Sequence, residues 1–275
     1  MAKFMLDDLT IDYQIKGEVS NNPPLIVLNG IMMSQASWVP LQDELTKKRQ
    51  VIFLDFIDQG ESDPGEGLSY DHALQIKMVV GLMKHLPYET YDIFGISYGG
   101  EIALQIGIQC QGLVRKLAVY NVTYKTTPVL SHIGKSWIKA AETYNPETFF
   151  YTTMPWIYSK SFYNKEIEWF NNRLVTLKEV LNKKFLDGMI RLINSSENYD
   201  IYNELCKIKV ETQIVGSDKD LLTPGEHGKK IAEKINNATY KEFFNCGHAS
   251  MYEQPNIFLE SLLGFLDRGS SVKII

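Results

Sequence analysis

Ser97 stands between two glycines in Gly95-Ile96-Ser97-Tyr98-Gly99. In a Gly-x-Ser-x-Gly stretch the serine can act as a nucleophile if a sharp strand-to-helix turn exposes its hydroxyl and a base removes its proton. The glycines matter because larger residues two positions either side would clash in such a turn. Taken alone, the match equally suits a turn serine. Here the strand-like run Tyr91–Ile96 precedes it and an apolar stretch at helical spacing, Glu101-Ile102-Ala103-Leu104, follows it, which is the context the motif needs.

A serine hydroxyl at neutral pH requires a base, usually histidine, and the imidazole requires an orienting carboxylate. Of the five histidines, His72 and His85 fall on a helical run, His132 in an aromatic-rich region and His227 at a helix start, where surface or packing roles suffice. His248 differs, because it follows Gly247 in a loop between the last strand and the last helix. The stretch Val215-Gly216-Ser217-Asp218-Lys219-Asp220 offers two acids between serine and histidine in chain order. Asp220 is the better placed against the following proline and helix, and Asp218 is expected to shape the turn. An acyl transition state also needs two oxyanion donors. The expected pair are the backbone amides of Tyr98, next after the serine, and Ile31, in the loop after the strand 25–30.

These residues must be carried by something. Short apolar runs at 25–30, 51–56, 91–96 and 115–122 alternate with helical patterns, and the rhythm resumes with strands at 210–216 and 239–244. Strands apolar on both faces, separated by helices, predict a mostly parallel sheet covered on both sides. A hairpin about Asp7-Asp8 is expected at its edge. Asn29-Gly30, Ser97, Asp218/Asp220 and the 245–248 loop all fall at carboxyl ends of strands, where open α/β sheets bind ligands. Between 123 and 206 the alternation stops and a helical, aromatic-rich stretch intervenes, read as a cap inserted into a core of 1–122 and 207–275.

The 275 residues suffice for such a core plus an insertion. A formal net charge of −5 argues against nucleic acid as a partner. The basic run Lys47-Lys48-Arg49 reads as the solvated end of a helix. Three dispersed cysteines suggest neither a disulfide framework nor a zinc site, and no apolar stretch approaches a membrane span. The expectation is a cytoplasmic protein, monomer or homodimer, without metal or cofactor.

Together the stretches "LNGIMMSQASW", "LDFIDQGESD", "GISYGG", "VGSDKDLLTP" and "NCGHASMYEQP" resemble the α/β-hydrolase superfamily, in its lid-bearing esterase and lipase-like branch. The resemblance implies an eight-stranded, mostly parallel sheet with a helical lid, and a triad of Ser97, Asp220 and His248. The expected substrate-contacting positions are Asn29 and Trp38 in the resembling oxyanion loop, Met32 beside the proposed oxyanion donor, and Trp156 among the cap aromatics. Two departures stand out. Asn29-Gly30 replaces the usual His-Gly, and Ile57-Asp58-Gln59-Gly60-Glu61-Ser62 keeps only Gly60 and Ser62 of the usual Arg-Gly-His-Gly-x-Ser. The implied activity is hydrolysis of a small to medium apolar ester or thioester through an acyl-enzyme. The alternatives are an acyltransferase, C–C bond hydrolysis or perhydrolysis by the same triad, and, more remotely, a non-catalytic ligand-binding protein on the same fold.

Overall fold

The computed structural model describes residues 2–268. Eight strands form one sheet: β1 (Ala2–Leu6), β2 (Leu9–Lys16), β3 (Leu25–Leu28), β4 (Val51–Leu54), β5 (Tyr91–Ile96), β6 (Val114–Tyr120), β7 (Glu211–Ser217) and β8 (Ala238–Phe243). Their spatial order is β1-β2-β4-β3-β5-β6-β7-β8. The hairpin β1–β2 joins antiparallel to β4, and every pairing from β4 to β8 is parallel. Asp7 and Asp8 turn the hairpin with φ of 50° and 63°, the left-handed pair that suits a two-residue turn.

Every residue of β3, β4 and β5 is buried, as runs apolar on both faces require. One face packs under helices α2 (His72–His85) and α3 (Tyr98–Gln109), with Ile26, Leu28, Ile93, Val79 and Ile102 among its members. The opposite face carries Leu25, Val27, Phe53 and Phe94 against the terminal helix α11 (Pro255–Leu266), where Phe258 meets the Phe94 ring edge-on at 5.5 Å. Before it come a short helix α1 (Gln42–Thr46), α9 (Gly225–Lys234) and a single turn, α10 (Ser250–Glu253). The sequence pattern had not distinguished α10 from loop.

Between β6 and β7 the chain leaves the sheet and builds five helices: α4 (Pro128–Ala141), α5 (Pro146–Ile157), α6 (Lys160–Lys165), α7 (Ile167–Val180) and α8 (Lys183–Ser195). Thr127, Asn145, Ser159 and Asn182 cap four of them through side-chain oxygens, and proline opens α4 and α5. This inserted helical region has its own apolar centres around Trp137 and Phe149, and around Phe150 and Phe170. A bidentate Arg191–Asp58 pair fastens α8 to the loop after β4.

Arg49 corrects the reading of the 47–49 run as solvated. Helix α1 ends at Thr46, so Lys47 and Lys48 stay outside while Arg49 turns under the sheet with 1% of its surface exposed. It pairs with Asp92 at 2.6 Å and with Asp267, and Arg115 approaches the same Asp92 from β6. Asp92 is the one charge within an otherwise apolar strand. Burial pushes its carboxyl up, against the pull of Arg115 and Arg49. Removing one member of a buried pair strands the other, at a cost of about 3–5 kcal/mol. Asp92→Ala should therefore lower the free energy of urea unfolding by that order, far from any site of chemistry. A loss under about 1 kcal/mol would show that the pair behaves as a surface bridge.

Candidate active site

Ser97 is the residue between β5 and α3. Its backbone, φ 54° and ψ −123°, lies in a region that side-chain-bearing residues rarely occupy. Packing enforces it. A Cβ added at Gly95 would land on the Gly99 carbonyl, and one added at Gly99 on that of Leu28. The two glycines let α3 start hard against the sheet, which turns the serine side chain outward. The Ser97 amide donates to the Tyr120 carbonyl at 3.0 Å and the Ser97 carbonyl accepts from the Glu101 amide at 3.1 Å, so the turn is pinned on both sides.

The Ser97 Oγ lies 2.8 Å from His248 Nε2, and His248 Nδ1 lies 2.8 Å from Asp220 Oδ2. A carboxylate only accepts, so Nδ1 carries the proton and Nε2 presents its lone pair to the hydroxyl. Asp220 is held in a full set of donors. The Leu222 and Thr223 amides reach Oδ1 at 2.9 Å each, and the Thr223 hydroxyl and Asn121 Nδ2 reach Oδ2 at 2.8 and 3.0 Å. Burial alone would raise this carboxyl. The facing His248, its hydrogen bond and the Thr223 and Asn121 donors outweigh burial and hold the pKa below the ordinary value. Asp218 accepts from the Cys246 amide at 3.3 Å and so braces the histidine loop from outside.

The inserted helices hold the histidine as well. The amide of His248 donates to the Ile157 carbonyl at the end of α5 at 2.8 Å. Glu253 on α10 accepts from the Gly247 and Ser159 amides at 3.0 and 2.8 Å. Gly247 fits because a Cβ there would strike the Ser159 amide.

A cavity of about 200 Å³ opens between the sheet's carboxyl edge and the insertion. Ser97, His248, Ile31, Tyr98 and Met32 all line it. Asn29, Trp38 and Trp156 do not. Asn29 is fully buried behind the wall, where it donates to the Leu54 carbonyl at 2.8 Å and to Gln59 Oε1 at 3.1 Å, and accepts from Trp38 Nε1 at 2.7 Å. Gln59 passes the support on, donating to the Gly30 carbonyl at 2.9 Å. Asn29 and Trp38 thus hold the loop that carries Ile31 rather than face a ligand. Trp156 is 39% exposed on the outside of α5, whose inner face presents Met154 and Ile157. Trp137 of α4, not singled out in the sequence, lines the cavity instead.

Gln59, Thr223, Asn121 and Glu253 were not foreseen as parts of this site. Only Gln59, standing where the resembling motif has histidine, carried a signal. Among the described residues, no group of three or more histidines, cysteines or acids is placed to hold a metal ion, and no helix is long and apolar enough to cross a membrane.

A family profile described as "alpha/beta hydrolase fold" matches residues 23–255. The solved structure of MGS-M2, an alpha/beta hydrolase enzyme from a Medee basin deep-sea metagenome library, is 36% identical, superposes with a TM-score of 0.94 and covers 100% of both chains. The uncharacterized hydrolase YugF of Bacillus subtilis is 23% identical over 285 residues, 97% of each chain. The proline iminopeptidase of Lactobacillus helveticus is 24% identical over 290 residues, 93% of this chain and 94% of its own. With the profile spanning most of the sequence and a solved relative alike over its whole length, this chain belongs to the α/β-hydrolase family.

Proposed function

We propose that the protein is a serine-dependent acyl hydrolase acting on small esters through an acyl-enzyme. The observation that carries this is the unbroken contact chain from Ser97 Oγ through His248 to Asp220, at 2.8 Å in each step. In this reading Ser97 Oγ attacks the ester carbonyl carbon while His248 Nε2 takes the hydroxyl proton. Asp220 keeps the imidazole in the receptive tautomer and stabilises the imidazolium. The oxyanion is held by the amides of Tyr98 and Ile31. Tyr98 is the first residue of α3, where backbone N–H groups have no partner within the helix. Collapse of the tetrahedral adduct breaks the ester C–O bond, and the departing alkoxide takes the proton from His248. A water, deprotonated by His248, then attacks the acyl carbonyl, and Ser97 leaves as a hydroxyl with that proton.

The cavity supports a short, largely apolar acyl group. Met32, Trp137, Met154, Leu177 and Leu222 form much of its wall. Its volume lies below the range of about 300–1,000 Å³ typical of pockets for drug-sized ligands.

A fluorophosphonate probe should label the wild-type protein and not Ser97→Ala. The same substitution should lower kcat/KM on short p-nitrophenyl esters by at least ~10⁴-fold. Equal labelling and turnover by the two proteins would remove Ser97 from the role.

Asn121 positions Asp220, and its Oδ1 accepts from Ser250 at 2.7 Å. Asn121→Ala should lower stability near neutral pH by about 1–3 kcal/mol. A carboxyl with a depressed folded pKa contributes stability that is complete above its unfolded pKa and is lost as pH falls through the folded one. The gap between Asn121→Ala and wild type should therefore narrow below about pH 4, read by urea unfolding across that range. A gap that stays constant with pH would show that Asn121 acts without Asp220.

A further inference from the structure

The cavity wall carries other ionisable groups that the proposed acyl chemistry leaves idle: Glu101, Glu197 and Arg173. Two already have partners within the protein. Glu101 is buried on the first turn of α3 beside His72 Nε2 at 3.3 Å, and burial pushes its carboxyl well above the ordinary range. Burial likewise pushes His72 down to about 4, so burial disfavours charge on both members of this contact. Glu197 pairs with Lys135 at 3.2 Å and accepts from the Ser131 hydroxyl at 2.8 Å.

Arg173, on α7, is different. No acid among the described residues lies within ion-pair distance of it, and its Nε is buried without a hydrogen-bond partner. Its guanidinium sits 4.9 Å from the Trp169 ring centre and 5.0 Å from that of Tyr252. Tyr252 belongs to α10, four residues beyond His248, and lines the same cavity. Two aromatic faces orient the guanidinium and strip part of its water, but they satisfy none of its N–H donors. A packing role alone would be served by an uncharged side chain, without the cost of a partly desolvated, unpaired charge. The planar fork of an arginine held in this way matches a carboxylate, which accepts two parallel hydrogen bonds.

We propose that Arg173 is a specificity-determining residue that recognises a carboxylate on the non-reacting end of the substrate, so that the preferred substrates are half-esters of short dicarboxylic acids. The inference builds on the ester-hydrolase reading, with Ser97 attacking the ester carbonyl while the terminal amino groups of Arg173 hold the distant carboxylate. In a chain of net charge −5, this local cation gives an anionic substrate a specific place to bind.

The test compares mono-p-nitrophenyl glutarate with p-nitrophenyl butyrate. The ratio of their kcat/KM values should fall roughly 10–100-fold in Arg173→Met and recover in part in Arg173→Lys. If both esters decline by the same factor, the ratio is unchanged, Arg173 merely clamps the insertion to α10, and the proposal is overturned. Glutarate binding to the inactive Ser97→Ala protein, followed by titration calorimetry, makes the readout independent of turnover. Binding that disappears in Ser97→Ala/Arg173→Met supports the proposal even if neither ester is cleaved, in which case only the hydrolase reading fails. Absent binding, or binding indifferent to Arg173, overturns it.

Discussion

Ser97 holds a backbone conformation of a kind that costs on the order of 1–3 kcal/mol, and the architecture around it is what makes that conformation the lowest in free energy. β5 is central in the sheet, flanked by β3 and β6; Gly95 is pressed by the backbone of the first turn of α3, and Gly99 by the backbone at the end of β3. The parallel order also brings the loops after β3, β5, β7 and β8 to one edge. Each loop delivers one part of the site: Ile31, Ser97, Asp220 and His248. The strained turn determines where the hydroxyl points, and the other loops are placed relative to it.

The second dependency is electrostatic. Asp220 stays ionised in a buried place because four donors and His248 converge on it. The facing His248 and its hydrogen bond are the larger influences, and the neutral Thr223 and Asn121 donors add to them. The histidine loop in turn is tied to the inserted helices through Ile157, Ser159 and Glu253. The insertion is therefore roof and support at once. It closes the cavity with Trp137, Met154 and Leu177, and it fixes the backbone from which His248 reaches the serine.

The strand runs and the order of Ser97, Asp220 and His248 were legible because they are local: apolar periodicity, a glycine-flanked turn, an acid just past a strand end. Side-chain direction was not. Trp156 looked like a ligand contact by type, yet helical phase turns it outward while Met154 and Ile157 face in. Asn29 and Trp38 stand in the expected loop but point behind it, to Gln59 and to each other. Arg49 looked solvated as part of a basic run, because nothing near it in sequence announced Asp92 or Asp267. Asn121 supports Asp220 from 99 residues away, a contact that only the closed sheet creates.

The central claim is that the serine at this turn forms a covalent bond with its substrate. Rapid acid quenching of the enzyme during turnover of a p-nitrophenyl ester, followed by intact mass measurement and peptide mapping, tests it directly. The account predicts a population heavier by one acyl group, with the added mass confined to the peptide containing Ser97 and absent from Ser97→Ala. Steady ester cleavage with the acyl group found on another residue, or on none while Ser97→Ala turns over at the same rate, would contradict it.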